Sequence, residues 1–150
     1  MSGPVALLDV NVLVALFDPD HVHHDVAHGW FAGQRTSGWA TCPLTEVGFV
    51  RTTVALSKGR ELITAPRMLE GLQAFIASGH HHFWTDELSL GDAGMFDSDA
   101  VIGPQQLTDV YLLGLAVKHG GVLATFDRRT PVWAVKGATA AHLAVLSSVA

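Results

Sequence analysis

The sequence has a single cysteine, Cys42, in 150 residues. This excludes an intramolecular disulfide framework and a multi-thiolate metal centre. Charge is also scarce. Charged residues make up 15% of the chain, with 9 basic side chains against 14 acidic ones and a formal net charge of −5. No basic run occurs, which argues against a module that binds nucleic acid by massed phosphate neutralisation. Long hydrophobic runs are missing too. The longest early one, Val12 to Phe17, has six residues, against the roughly 20 a membrane-spanning helix needs. No basic segment precedes the first apolar stretch, so no secretory signal is expected. These absences lead us to expect a cytoplasmic protein with no membrane segment. Gly-x-Ser-x-Gly and a Walker-type phosphate loop are also absent, and Cys42 lies in an apolar strand where it reads as a buried thiol. Nucleophilic catalysis is therefore poorly supported.

Apolar side chains are plentiful, at 49% of the chain with a mean hydropathy of +0.31. That is enough to build a core and to exclude disorder, and the length suits one domain over residues 1–150. So few polar residues cover the surface poorly, so some apolar surface is expected to be closed by a partner chain.

The apolar pattern sets the organisation. Val5 to Leu8 reads as a buried strand ending at Asp9. Helices are expected over Asn11–Phe17 and His24–Phe31, separated by the turn Asp18-Pro19-Asp20. Gly38–Cys42 reads as a strand and Leu44–Leu56 as a helix, with Leu44, Val47, Val50 and Val54 at helical spacing. Pro66 opens a further helix with Met68, Leu69, Leu72, Phe75 and Ile76 inward. His82–Thr85 reads as a short strand, and 88–103 as a glycine-rich loop region. Thr108–His119 is a helix with Thr108 as its cap and Gly120-Gly121 as its stop. Strands at Val122–Phe126 and His142–Leu146 follow. Strands and helices alternate, which predicts a parallel sheet covered on both faces, with any site at its C-terminal edge.

Four acids fall in apolar surroundings at element ends: Asp9, Glu46, Asp109 and Asp127. Each has a plain structural use alone, as a cap, a first-turn helix charge or a turn residue. Together they carry a stronger meaning, since carboxylates near a core are costly unless paired or metal-bound. Hard oxygen donors in such places favour Mg2+ or Mn2+. A metal held this way activates water and neutralises charge on phosphate oxygens, the chemistry of phosphodiester hydrolysis.

Four segments carry a resemblance: Leu7-Leu8-Asp9-Val10-Asn11-Val12-Leu13, Thr45-Glu46-Val47-Gly48-Phe49-Val50-Arg51, Leu107-Thr108-Asp109-Val110-Tyr111-Leu112-Leu113 and Leu123-Ala124-Thr125-Phe126-Asp127-Arg128. Their acids are spaced 37, 63 and 18 residues apart. In this order they resemble the PIN-domain nucleases, and within them the VapC-type toxins of bacterial toxin–antitoxin pairs. The resemblance spans nearly the whole chain. It implies a three-layer α/β/α sandwich around a parallel five-stranded sheet. It also implies a Mg2+-dependent (or Mn2+-dependent) endoribonuclease that cuts structured RNA, commonly transfer or ribosomal RNA, in single-stranded loops by metal-activated water. A homodimer and a cognate antitoxin that blocks the site are implied as well. By the match, Asp9 and Asp109 are the principal metal ligands. Glu46 completes the set directly or through water, and Asp127 binds a second metal or a metal-bound water.

Asn11 and Thr125 are expected to orient those carboxylates. Arg128, Arg129 and Arg51 are candidates for RNA phosphates. The run Gly91–Gly103, with Asp92, Asp97 and Asp99, is either a specificity loop or a surface loop. His24 and His28 share a helical face, but no further ligand nearby completes a zinc site. No histidine is singled out for RNA or a partner. Two alternatives remain: a non-catalytic RNA- or protein-binding relative, and an aspartate phosphoacceptor domain, for which a lysine at a late strand end is missing.

Overall fold

The computed structural model describes residues 3–100 and 103–147. Ten main elements follow one another: β1 (Ala6–Leu8), α1 (Val10–Phe17), α2 (His24–Gln34), β2 (Trp39–Thr41), α3 (Pro43–Leu56), α4 (Ala65–Ala77), β3 (His81–Phe83), α5 (Leu107–Lys118), β4 (Val122–Thr125) and β5 (Leu143–Val145). The strands form one parallel sheet in the order β3-β2-β1-β4-β5. The chain runs outward from β1 through β2 to β3, then returns to lay β4 on the other side of β1. The strand order thus reverses between β1 and β4, where an open parallel sheet leaves a crevice at its C-terminal edge.

Side chains alternate across the sheet with the period of two that strands impose. Ala6, Leu8, Trp39 and Ala124 face the layer of α1 to α4, with Phe31, Phe49 and Leu72. Leu7, Ala40 and Leu123 face the other layer, where α5 supplies Leu112, Leu113 and Leu115. The result is the three-layer α/β/α architecture. Cys42 is fully buried and unpaired. None of the described helices is long and apolar enough to cross a membrane.

Several local expectations shift. α3 buries Thr45, Phe49 and Thr53, while Leu44 and Val47 are exposed. The helix is rotated from the face the aliphatic spacing suggests because Gly48 packs against Val10, where a Cβ would come 2.7 Å from Val10 Cγ2. On α4, Leu69 stays 46% exposed instead of turning inward. β3 begins one residue early, because Gly79 and His80 both take positive φ (106° and 64°) and turn the chain from α4 into the strand. Thr108 does not cap α5. A single 3-10 turn, Pro104–Gln106, runs directly into the helix at Leu107, and Gly103 N–H donates to Gln106 Oε1 at 3.3 Å. The 88–103 region is tied down. Phe96 is buried in the second core and bridges antiparallel to Val135. Asp92 and Asp97 accept from nearby backbone N–H groups and stay outside the crevice. Val101 and Ile102 lie outside the described residues.

Candidate active site

Asp9 follows β1 and caps α1. Its Oδ1 accepts from Val10 N–H at 2.7 Å, one of the orphan donors of a helix start. Its Oδ2 accepts from Thr125 Oγ1 at 2.7 Å. Thr125 ends the neighbouring strand β4, and its hydroxyl oxygen also accepts from Asn11 Nδ2 at 3.3 Å and from Asp127 N–H at 3.1 Å. Asn11 Oδ1 accepts from Phe126 N–H at 3.3 Å. Asn11 and Thr125 thus lock the ends of β1 and β4 together and fix the Asp9 carboxylate.

Asp109 enters from the first turn of α5. Asp9, Asp109 and Asp127 line one cleft of about 300 Å³ with Asn11, Val14, His21 and Thr52. Burial pushes the Asp109 carboxyl up to about 7, helped by the Asp9 and Asp127 charges and opposed by Arg129. Burial also raises Asp9, against hydrogen bonds from Thr125 and Val10 that lower it, with Asp127 adding to the rise. Like charges in a partly desolvated cleft raise one another in this way. The cleft is short of positive charge, and its hard oxygen donors fit a hard divalent cation. The carboxylates line a cleft and do not form a closed cage. Among the described residues no three His, Cys, Asp or Glu side chains stand as a ready-made metal group.

Glu46 is not in this cleft. On α3 it sits on the side away from Thr52, lining a separate cavity with Val47, Val50, Arg51, Leu69 and Leu72. Its Oε2 accepts from Thr41 Oγ1 at 2.6 Å. Thr41 uses its hydroxyl hydrogen in the bond to Glu46, so in the 2.7 Å contact between its oxygen and His81 Nε2 the histidine is the donor. The structure therefore gathers Asp9, Asn11, Asp109, Asp127 and Thr125, and leaves Glu46 and Arg51 apart.

Arg128 and Arg129 lie beside the cleft. With Asn11, Phe126 and Asp127 they line an adjoining cavity of about 530 Å³. Asp127 Oδ1 accepts from Arg129 N–H at 2.8 Å and from its Nε at 3.3 Å. His21, one of several histidines that nothing in the sequence selects, lines the cleft as well, carried there by the turn that follows α1. Two further histidines of that segment, His24 and His28, serve structure. His24 Nδ1 and His28 Nε2 lie 2.7 and 2.9 Å from the carbonyls of Ala15 and Leu16, at the C-terminus of α1. There they satisfy carbonyls that the helix leaves open.

A carboxylate crevice at the reversal of a parallel sheet, between two helical layers, defines a three-layer α/β domain with an acidic cleft at its C-terminal edge. No protein-family model matches the sequence. The chain is 43% identical to Ribonuclease VapC44 of Mycobacterium tuberculosis over 141 residues, covering 94% of this chain and 99% of that protein. It is 44% identical to Ribonuclease VapC39 of the same organism over 124 residues, covering 81% and 88%. Ribonuclease VapC38 matches at 44% over 126 residues, covering 82% and 85%. The fold is similar to a chain of VapBC2 from Rickettsia felis, solved with a DNA fragment from its promoter. That match has a TM-score of 0.58 at 14% identity and covers 95% of this chain and 99% of that one. The protein belongs to the VapC ribonuclease family.

Proposed function

We propose that the protein is the ribonuclease toxin of a toxin–antitoxin pair, a cytoplasmic Mg2+-dependent (or Mn2+-dependent) endoribonuclease acting on unpaired loops of structured RNA. The observation that carries this reading is the convergence of Asp9, Asp109 and Asp127 on one cleft, in a chain whose relatives are named ribonucleases.

Asp9 and Asp109 would hold the cation, with Asp127 beside them, tied to Asp9 through Thr125. When bound, it supplies Lewis acidity toward a water and the scissile phosphate. Thr125 and Asn11 keep Asp9 oriented. Asp127 also steers Arg129 through its Oδ1. Arg128 and Arg129 offer guanidinium groups to flanking phosphates, which suits their planar donor geometry. Glu46 would act indirectly, by fixing Thr41 at the end of β2 and, through it, His81 at the start of β3. A cognate antitoxin and a second copy of the chain are the proposed partners. Exposed Val47, Leu56, Leu62 and Leu69 give them apolar surface to cover.

The test is cleavage of RNA with and without chelator, by the parent chain and by Asp9→Asn and Asp109→Asn. Loss on the order of 10²-fold in rate for each variant is expected if charge stabilisation in the transition state dominates. Undiminished cleavage by both variants would contradict the reading.

A further inference from the structure

We propose that the turn between α1 and α2 is the wall that holds an unpaired RNA nucleotide beside the carboxylates, with His21 as hydrogen-bond donor and the His23–Phe126 ring pair as stacking face. This rests on the ribonuclease reading above.

His21 lines the same cleft as Asp9, Asp109 and Asp127. Its Nδ1 accepts from His23 N–H at 3.0 Å. In the neutral ring the proton is then on Nε2, which becomes a donor. Among the described residues no protein group accepts from it.

The turn is held firmly. Asp18 N–H donates to Val14 O, His21 N–H to Asp18 O and His24 N–H to His21 O, each at 3.0 Å. Asp20 N–H donates to Asp18 Oδ1 at 3.0 Å. His24 and His28 fasten the start of α2 to the last carbonyls of α1. A ring fixed in this way loses little entropy when a ligand arrives.

His23 lies over Phe126 with ring centroids 4.6 Å apart and planes 19° from parallel. Phe126 precedes Asp127 and lines the adjoining cavity with Arg128 and Arg129. Phe126 therefore borders the guanidinium cavity beside Asp127, which lines both cavities, and His23 is stacked on it. A single RNA strand offers a phosphate for each of those two sites and a base between them. Aromatic faces accept any base by stacking, and a fixed donor discriminates among base-edge acceptors.

The test uses the Asp109→Asn protein, so that RNA survives, and fluorescein-labelled single-stranded rA, rC and rU 12-mers read by anisotropy. His21→Phe and His23→Ala should each weaken binding by about 5-fold or more, unequally across the three oligomers, as expected for a lost stack or donor. His21→Gln, which keeps a donor near the Nε2 position, and His23→Phe, which keeps the stack, should stay within about 2-fold of the Asp109→Asn parent. Parent-like binding by His21→Phe and His23→Ala would overturn the proposal and leave the turn to a protein partner. Equal losses in all four variants, or no binding of any oligomer by the parent, would overturn it as well. Cleavage by Asp109→Asn is scored separately. If that variant still cuts RNA, the carboxylate reading fails, and the same binding comparison is read with cleavage-resistant phosphorothioate oligomers.

Discussion

The hydroxyl of Thr125 donates to Asp9 Oδ2 at 2.7 Å, joining the C-terminal ends of two strands 116 residues apart in sequence. The same oxygen accepts from Asn11 Nδ2 and Asp127 N–H. Thr125→Val removes a donor from a buried carboxylate and strips two groups of their acceptor. We expect a loss of about 1–3 kcal/mol in urea-melt stability, together with reduced RNA cleavage. Thr125→Ser keeps the oxygen and should recover most of both.

Much of this was legible in the sequence. Asp9, Asp109 and Asp127 sit at element ends, and a parallel sheet sends every strand end to one edge, so their meeting follows from element order alone. Glu46 could not be placed in that way. Its direction depends on the rotation of α3, and one residue turns a helix by about 100°. That rotation is set by Gly48 lying against Val10 and by the buried Thr45-Phe49-Thr53 stripe, whose threonines do not read as core. His21 escaped because its place depends on a turn fixed by hydrogen bonds, which hydrophobic periodicity does not report.

Asp109 makes stability depend on pH in the metal-free protein. Its carboxyl is held at about 7 in the fold against 3.8 for the free group. It costs nothing below its unfolded pKa, where both states are protonated. The cost grows as pH rises through the interval and is complete above the folded pKa. Asp109→Asn should therefore raise the chelated protein's stability at pH 8. The gain should be about 1–2 kcal/mol after discounting for solvent screening of a partly exposed group. At pH 5 it should be less than half as large, and melting curves at the two pH values check this. A gain that grows toward low pH would contradict the assignment.

Gly121 closes the turn from α5 into β4. A Cβ there would lie 2.4 Å from the backbone oxygen of Val5 and 2.9 Å from the Trp84 ring. The carbonyl cannot yield without breaking the pairing of Val122 N–H to Val5 O. Gly121→Ala should therefore cost about 2–3 kcal/mol or more, at the upper end of overpacking effects, read by thermal melting.

Arg128 and Arg129 border the cleft, whereas Arg51 lies with Glu46 in another cavity. Arg128→Ala and Arg129→Ala should raise KM for RNA and each flatten the slope of log affinity against log salt by about 0.7. Arg51→Ala should leave that slope unchanged.

The central claim is met most directly by calorimetric titration of Mn2+ into the chelator-stripped protein, beside Asp9→Asn, Asp109→Asn and Glu46→Gln. The account predicts binding by the parent, weakening by at least about 10-fold in each aspartate variant, and near-parent affinity in Glu46→Gln. Equal binding by the parent and both aspartate variants, or loss confined to Glu46→Gln, would contradict it.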